Sequence, residues 1–304
     1  MIIKTLDINS IKPIISRFNL PKPNSHKGQN GRVLVIGGSK LFHAASIWAA
    51  EVASYFVDIV HYCSTKENEK VFLSLKSKFL NGIIVPQKEL PFYVEEDDAI
   101  LIGPGMVRKE KIVSSIQYPV CGIDDLLNIK DEADYTYYLT KYLIDNFPDK
   151  KFVFDAGALQ MMDAEWLHKL QTKPIITPHL KEFETIFGVS IMRSSVKEKI
   201  LCVKQTAKKY NSVIVLKAIN DIISDGDDVY VIQGGNAGLT KGGTGDILAG
   251  LNLGLYSKNS PLVSAVISSY LLKSTAERLF KEKGYWYNIS DIIKALPQQL
   301  KSQI

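Results

Sequence analysis

Asp246 closes a run that could do chemistry: Gly234-Gly235-Asn236-Ala237-Gly238-Leu239-Thr240-Lys241-Gly242-Gly243-Thr244-Gly245-Asp246. It joins a strand-like stretch, Val229–Ile232, to an apolar-periodic one at Ile247, Leu248, Leu251 and Leu255. That pattern predicts strand, glycine-rich loop, helix. Glycines let backbone N–H groups turn toward a bound anion, and the helix N-terminus adds a favourable dipole. A carboxylate beside such a site repels phosphate unless it has chemical work to do. Deprotonating a hydroxyl that attacks phosphorus is such work. The alternative is a solvent-facing Asp that only complements the helix dipole, and its position alone leaves both open.

Other segments end strand-like runs in polar or side-chain-free residues. Val33–Ile36 leads into Gly37-Gly38-Ser39. This is not a G-x-G-x-x-G fingerprint, since Lys40 and Leu41 follow, and a tight turn explains it without a ligand. Ala44 and Ala45 then open a helix with small side chains, which permits close approach of a ligand or of neighbouring backbone. Ile100–Ile102 leads into Gly103-Pro104-Gly105, a preset, unbulky turn suited to a flat ring or sugar, or an ordinary loop. Asp155 follows Phe152–Phe154, where its carboxylate either holds Mg²⁺ through water or caps the next turn. His179 follows Ile175-Ile176-Thr177-Pro178, with Glu182 three residues on. The imidazole has structural as well as functional uses, and Glu182 reads equally as a first-turn carboxylate. Lys217 follows Val213–Leu216, either as a point charge for phosphate or as a surface lysine.

The elements that must position these residues alternate along the chain. Strands are predicted at Arg32–Ile36, Asp58–Cys63, Ile83–Val85, Ala99–Ile102, Phe152–Phe154, Ile175–Thr177 and Val213–Leu216. Helices are predicted at Ala44–Phe56, Asn68–Lys78, Tyr135–Asn146, Lys181–Phe187 and Val196–Tyr210. Such alternation favours a parallel sheet between helical layers, with ligands at the carboxyl ends of the strands. Asp221–Ser224 and Val229–Ile232, joined by Asp225-Gly226-Asp227-Asp228, predict an antiparallel hairpin. Three helices then follow, near Asp246–Tyr256, Leu262–Lys281 and Ser290–Leu296. The first 26 residues, with Pro13, Pro21 and Pro23, are expected to wrap the body after one short helix. No linker or repeat divides the 304 residues, so one domain over 1–304 is expected.

Composition sets the outer limits. Hydrophobic residues make up 46% and charged residues 23%, as in ordinary globular proteins. The net charge of +5 is spread along the chain, which suits a phosphate-bearing ligand and does not argue for nucleic acid. Cys63, Cys121 and Cys202 are too scattered for a disulfide framework or a metal site. With no apolar run long enough for a membrane span and no signal-like opening, a cytoplasmic protein is expected. A Walker A sequence is absent, as are H-E-x-x-H, C-x-x-C and G-x-S-x-G, which sets aside P-loop nucleotide sites, zinc proteases and α/β-hydrolases.

Taken in order, His26-Lys27-Gly28, Gly31-Arg32-Val33-Leu34-Val35-Ile36-Gly37-Gly38-Ser39, Gly103-Pro104-Gly105 and Asp155-Ala156-Gly157-Ala158-Leu159 resemble one family. Thr177-Pro178-His179-Leu180-Lys181-Glu182-Phe183, Leu216-Lys217-Ala218, Gly235-Asn236 and Gly242–Asp246 extend the match. It is the ribokinase-like NAD(P)H-hydrate dehydratase family of nucleotide-repair enzymes, and the resemblance runs from about residue 5 to residue 300. It implies a ribokinase-like three-layer α/β/α sandwich with a central, mainly parallel sheet. It implies ADP- or ATP-dependent dehydration of the S form of NADHX or NADPHX, with Mg²⁺ assisting. Ala44, Gly105, His179 and Asp246 would contact the hydrated dinucleotide, with Asp246 the catalytic base. Lys217, Ala218, Ile219, Asn220, Asp221 and Gly245 would contact the adenine nucleotide. Asn236 would sit by the transferred phosphate, and Gly242, Gly243 and Thr244 would cradle it. A homotetramer is implied, as is a separate epimerase polypeptide, because the chain is short for an added epimerase domain. The rival readings are a ribokinase-like kinase of a small alcohol and a nucleotide-binding protein without turnover. Two departures stand out. His43 replaces the family's usual glycine, and Ser54-Tyr55-Phe56-Val57 replaces small packing residues; both are expected to add bulk beside the dinucleotide pocket.

Overall fold

The computed structural model describes residues 1–109, 120 and 122–304, which leaves Cys121 outside the described residues. Its strands are β1 (Ile2–Lys4), β2 (Arg32–Ile36), β3 (Ile59–Cys63), β4 (Gly82–Ile84), β5 (Ala99–Ile102), β6 (Lys151–Phe154), β7 (Ile175–Ile176), β8 (Val213–Leu216), β9 (Asp221–Ser224) and β10 (Val229–Gln233). They form one sheet in the order β1-β10-β9-β8-β7-β6-β5-β2-β3-β4. Neighbours from β4 through to β8 run parallel, whereas β9 is antiparallel to both β8 and β10. The α-helices are α1 (Ile8–Ile15), α2 (Ala44–Ala53), α3 (Lys66–Ser74), α4 (Leu90–Glu96), α5 (Ile123–Leu127), α6 (Glu132–Asn146), α7 (Ala156–Met161), α8 (Leu180–Phe187), α9 (Val196–Lys209), α10 (Thr244–Tyr256), α11 (Pro261–Lys283) and α12 (Ile289–Lys301).

Central strands lack polar alternation because both faces are covered. Val33 and Val35 of β2 join one core with α1, α2, α10, α11 and α12, while Leu34 and Ile36 join the other with α4, α6, α8 and α9. Burying each such side chain contributes roughly 1.5–3 kcal/mol. The result is the three-layer sandwich expected, with the C-terminal hairpin formed by β9 and β10. Among the described residues no helix is long and apolar enough to cross a membrane.

Two expectations need correction. The opening residues do more than wrap the body: β1 adds an edge strand, with Ile2 paired to Val231 and Lys4 to Gln233, parallel to β10. Three residues are too few to show a periodicity. The second concerns Tyr55 and Phe56. Helix α2 begins at the carboxyl end of β2 and runs back, so these residues lie about 15 Å from its start. They line a cavity of about 850 Å³ with Phe18, Lys258 and Leu300 at the amino ends of the strands. Their bulk therefore does not crowd the carboxyl-end loops.

Candidate active site

Strand ends β5 to β8 and the start of α10 bring together residues distant in sequence. Asp155 leaves β6, and the turn after it is sharp: Ala156 has a left-handed φ of +44°, uncommon for alanine. The Asp155 carboxylate does not cap α7. Instead its Oδ1 accepts from the Thr177 hydroxyl at 2.6 Å and from Lys217 Nζ at 2.9 Å. Lys217 Nζ also lies 3.7 Å from Glu182 Oε2. Lys217 is thus neither a free phosphate hook nor a surface lysine. Burial disfavours its charge, but the carboxylates of Asp155, Glu182 and Asp246 more than offset this and raise its pKa.

His179 caps α8: its Nδ1 accepts from the Glu182 N–H at 3.1 Å while Glu182 Oε2 accepts from the His179 N–H at 2.8 Å. Its side chain remains half exposed, at 50%, and it bridges in parallel to Lys217, which places both on the same rim.

Asp246 lies in the first turn of α10. Its carboxyl is pushed up to about 7, first by burial and then by the negative charge of Asp155, with Lys217 opposing. Among the described residues no other side chain is within hydrogen-bonding distance of that carboxylate. A half-buried carboxylate bonded only by its own backbone N–H and titrating near neutrality has the properties of a general base. It differs from the solvent-facing Asp that the sequence also allowed.

Immediately before it, Gly243 is the N-cap of α10 with φ +104°. A Cβ there would come within 2.6 Å of the Trp48 ring and 2.8 Å of Ile289. The loop is therefore pressed against α2 and α12, with Gly242, Thr244 and Gly245 alongside. The Gly245 N–H has no helical carbonyl to bond and is available to an anion, whereas the Asp246 N–H donates to its own carboxylate. A Cβ on Gly245 would lie 3.6 Å from Lys217 Nζ, so the ammonium sits against this same turn.

The other residues implied by the resemblance fall into two groups. Ala44 opens α2 in an exposed position. Gly105, with φ +72°, packs so that a Cβ would be 2.8 Å from Phe42 O and 3.2 Å from Gly38 Cα. Both therefore border one surface near β2 and β5. His43 is turned away, with Nδ1 2.8 Å from Asn68 Oδ1 of α3. On the other side, Ala218, Ile219 and Asn220 form a loop whose Ile219 side chain is 91% exposed. Asp221 faces inward: its Oδ1 accepts from the Ala218 N–H at 2.9 Å and its Oδ2 from the Ser269 hydroxyl at 2.6 Å. Asn236 likewise spends its amide on the protein, donating to Ala276 O at 2.9 Å and accepting from the Gly238 N–H and the Tyr287 hydroxyl. Asp221 and Asn236 shape loops. Trp48 behind the glycine turn, and Lys273 and Glu277 beneath the loops, were not legible as site residues, because only the packing of α2 and α11 brings them there.

Among the described residues no group of three or more His, Cys, Asp or Glu side chains converges as a metal cage. Both Glu182 oxygens and one Asp155 oxygen are already engaged. Direct protein ligation of Mg²⁺ does not fit this donor set. An ion carried on a nucleotide's own phosphates does.

Comparison with known proteins places the chain in a family. The family model described as NAD(P)H-hydrate dehydratase matches residues 33–298. The chain belongs to that family. It is 31% identical to the ADP-dependent (S)-NAD(P)H-hydrate dehydratase of Nitrosopumilus maritimus, over 98% of this chain and 97% of that one. It is 32% identical to the bifunctional NAD(P)H-hydrate repair enzyme Nnr of Methanocaldococcus jannaschii, over 98% of this chain but 57% of that one. The chain thus spans about half the length of the bifunctional relatives it matches. In structure it is similar to a ribokinase-like superfamily protein from Enterococcus faecalis, with a TM-score of 0.78 and 21% identity, covering 99% of this chain and 96% of that one. That likeness establishes the ribokinase-like fold.

Proposed function

We propose that the chain dehydrates the S form of hydrated NADH or NADPH, using ADP as phosphoryl donor. The observation that carries the reading is Asp246: a carboxyl pushed up to about 7 in the first turn of α10, beside a glycine turn open to an anion. The choice of ADP over ATP follows the names of the relatives in Nitrosopumilus maritimus and Cenarchaeum symbiosum.

In this reading the hydrated ring bears a hydroxyl on the carbon next to the ring nitrogen, and hydroxide is a poor leaving group. Asp246 takes the hydroxyl proton as the oxygen attacks the β-phosphorus of ADP; the new O–P bond forms, the bridging P–O bond breaks, and AMP departs. The Gly245 N–H and the α10 dipole stabilise the charge on the moving phosphoryl group. Mg²⁺ carried by the nucleotide would supply charge neutralisation at this turn. Lys217, held by Asp155 and Glu182, keeps a fixed positive charge against the same turn. Phosphate is then expelled by the lone pair of the ring nitrogen, and loss of a proton from the adjacent carbon restores the reduced nicotinamide.

Purified protein mixed with the S-form hydrate, Mg²⁺ and either ADP or ATP tests this. Recovery of absorbance at the reduced-nicotinamide band, with one AMP and one phosphate formed per turnover on ADP, is the expected result. A stable phosphorylated product would instead mark a small-alcohol kinase, and no nucleotide consumption would mark a binding protein.

A further inference from the structure

Helix α11 carries Ser269, Lys273 and Glu277 at spacings of four, so the three share one stripe of its surface. Each reaches a loop of the candidate site. Lys273 is only 5% exposed. Its Nζ donates to Ile219 O at 2.8 Å and Ala218 O at 3.2 Å, and lies 3.4 Å from Asp221 Oδ1. Ser269 donates to Asp221 Oδ2 at 2.6 Å. Glu277 Oε1 accepts from the Gly235 N–H at 3.0 Å and from the Thr5 hydroxyl at 2.6 Å. The Lys273 stem also passes Gly235 so closely that a Cβ there would sit 3.2 Å from Lys273 Cγ.

We infer that Lys273 is a positioning residue for nucleotide binding, which fixes the backbone of the 218–221 loop and sets its distance from the glycine turn at 234–236. A buried ammonium is costly, and an apolar side chain of similar length would fill this space more cheaply for packing alone. What the ammonium adds is direction. It bonds two successive carbonyls of a loop whose Ile219 side chain is open to solvent, so the loop is ordered before a ligand arrives. Ordering it at the moment of binding would weaken affinity. The inference rests on the proposal that adenine nucleotide binds against residues 217–221.

The test is isothermal calorimetry with ADP, and KM values for ADP and for the hydrate, on wild type and on the Lys273→Met/Asp221→Asn pair. The pair removes both buried charges together, so no lone charge remains to unfold the protein. ADP affinity is expected to fall at least tenfold, with the hydrate KM within about twofold of wild type and circular dichroism unchanged. Ser269→Ala, which removes one hydroxyl hydrogen bond to the Asp221 carboxylate and leaves both charges in place, is expected to weaken ADP by about threefold. ADP affinity within twofold of wild type in a folded Lys273 variant overturns the inference, as does a parallel rise in both KM values. Should the double variant fail to fold, unchanged ADP affinity in Ser269→Ala overturns it. Wild type that binds no adenine nucleotide removes the functional proposal itself, a distinguishable result.

Discussion

A carboxylate can take a proton only while it is ionised, and Asp246 sits where ionisation is unfavourable. Burial and the charge of Asp155 push its carboxyl up to about 7 against the pull of Lys217. The pH profile follows directly. Below about pH 6 kcat/KM is expected to fall about tenfold per unit as Asp246 protonates, and above about pH 8 to level off. A profile flat from pH 5 to pH 8 contradicts the assignment. Stability has the opposite sign. The fold prefers the neutral carboxyl, so Asp246 favours folding at acid pH and this contribution is lost as pH rises through about 7. Asp246→Asn keeps the neutral form at every pH. Calorimetry is therefore expected to show Tm raised by a few degrees at pH 8 and unchanged at pH 4. The exposed-cap reading of Asp246 predicts no such gain. At this scale the sequence supplied Asp246 and the strand-end residues, but not their partners. Lys217 was open to two readings, and the structure makes it the cation enclosed by Asp155 and Glu182. That pairing joins the ends of β6 and β8 across β7, an order no spacing reveals.

Among the elements, the sharpest demand falls on the turn that starts α10. Gly243 needs its left-handed φ of +104°, and a Cβ would strike Trp48 and Ile289. Gly243→Ala is expected to destabilise the fold by about 1–3 kcal/mol and to weaken ADP binding more than hydrate binding, readable by urea unfolding and calorimetry. Unchanged affinity for ADP would show that the glycine turn is not the phosphate site. Continuous β-branched runs made β2, β5 and β8 legible to the residue, because strands covered on both faces need no polar positions. Helix α7 was missed because its six residues follow Asp155 directly and read as a turn. Helix α10 begins two residues earlier than the apolar pattern alone suggested, since Thr244 and Gly245 carry no hydrophobic signal.

The molecule as a whole is built on a single sheet whose middle strands end in the candidate site residues, with α11 bonded to the loops at 218–221 and 234–236. Parallel alternation was visible from the chain, and with it the expectation that function sits at the carboxyl ends of the strands. Strand order, the edge strand β1 and the far-end position of Tyr55 and Phe56 were not, because each depends on contacts between residues far apart in sequence. Ile2 meets Val231, and Phe18 and Tyr55 share a cavity wall with Leu300. The resemblance implied one site for these motifs; in the structure β5 through β8 end side by side, which brings Asp155, His179 and Lys217 close to the first turn of α10. The account therefore reduces to what Asp246 does within that assembly. Asp246→Asn measured in parallel for ADP binding and for single-turnover phosphoryl transfer to the hydrate tests it most directly. ADP affinity is expected to stay within about threefold of wild type while the transfer rate falls by roughly 10²–10⁴. Near-normal transfer with asparagine at this position contradicts the account.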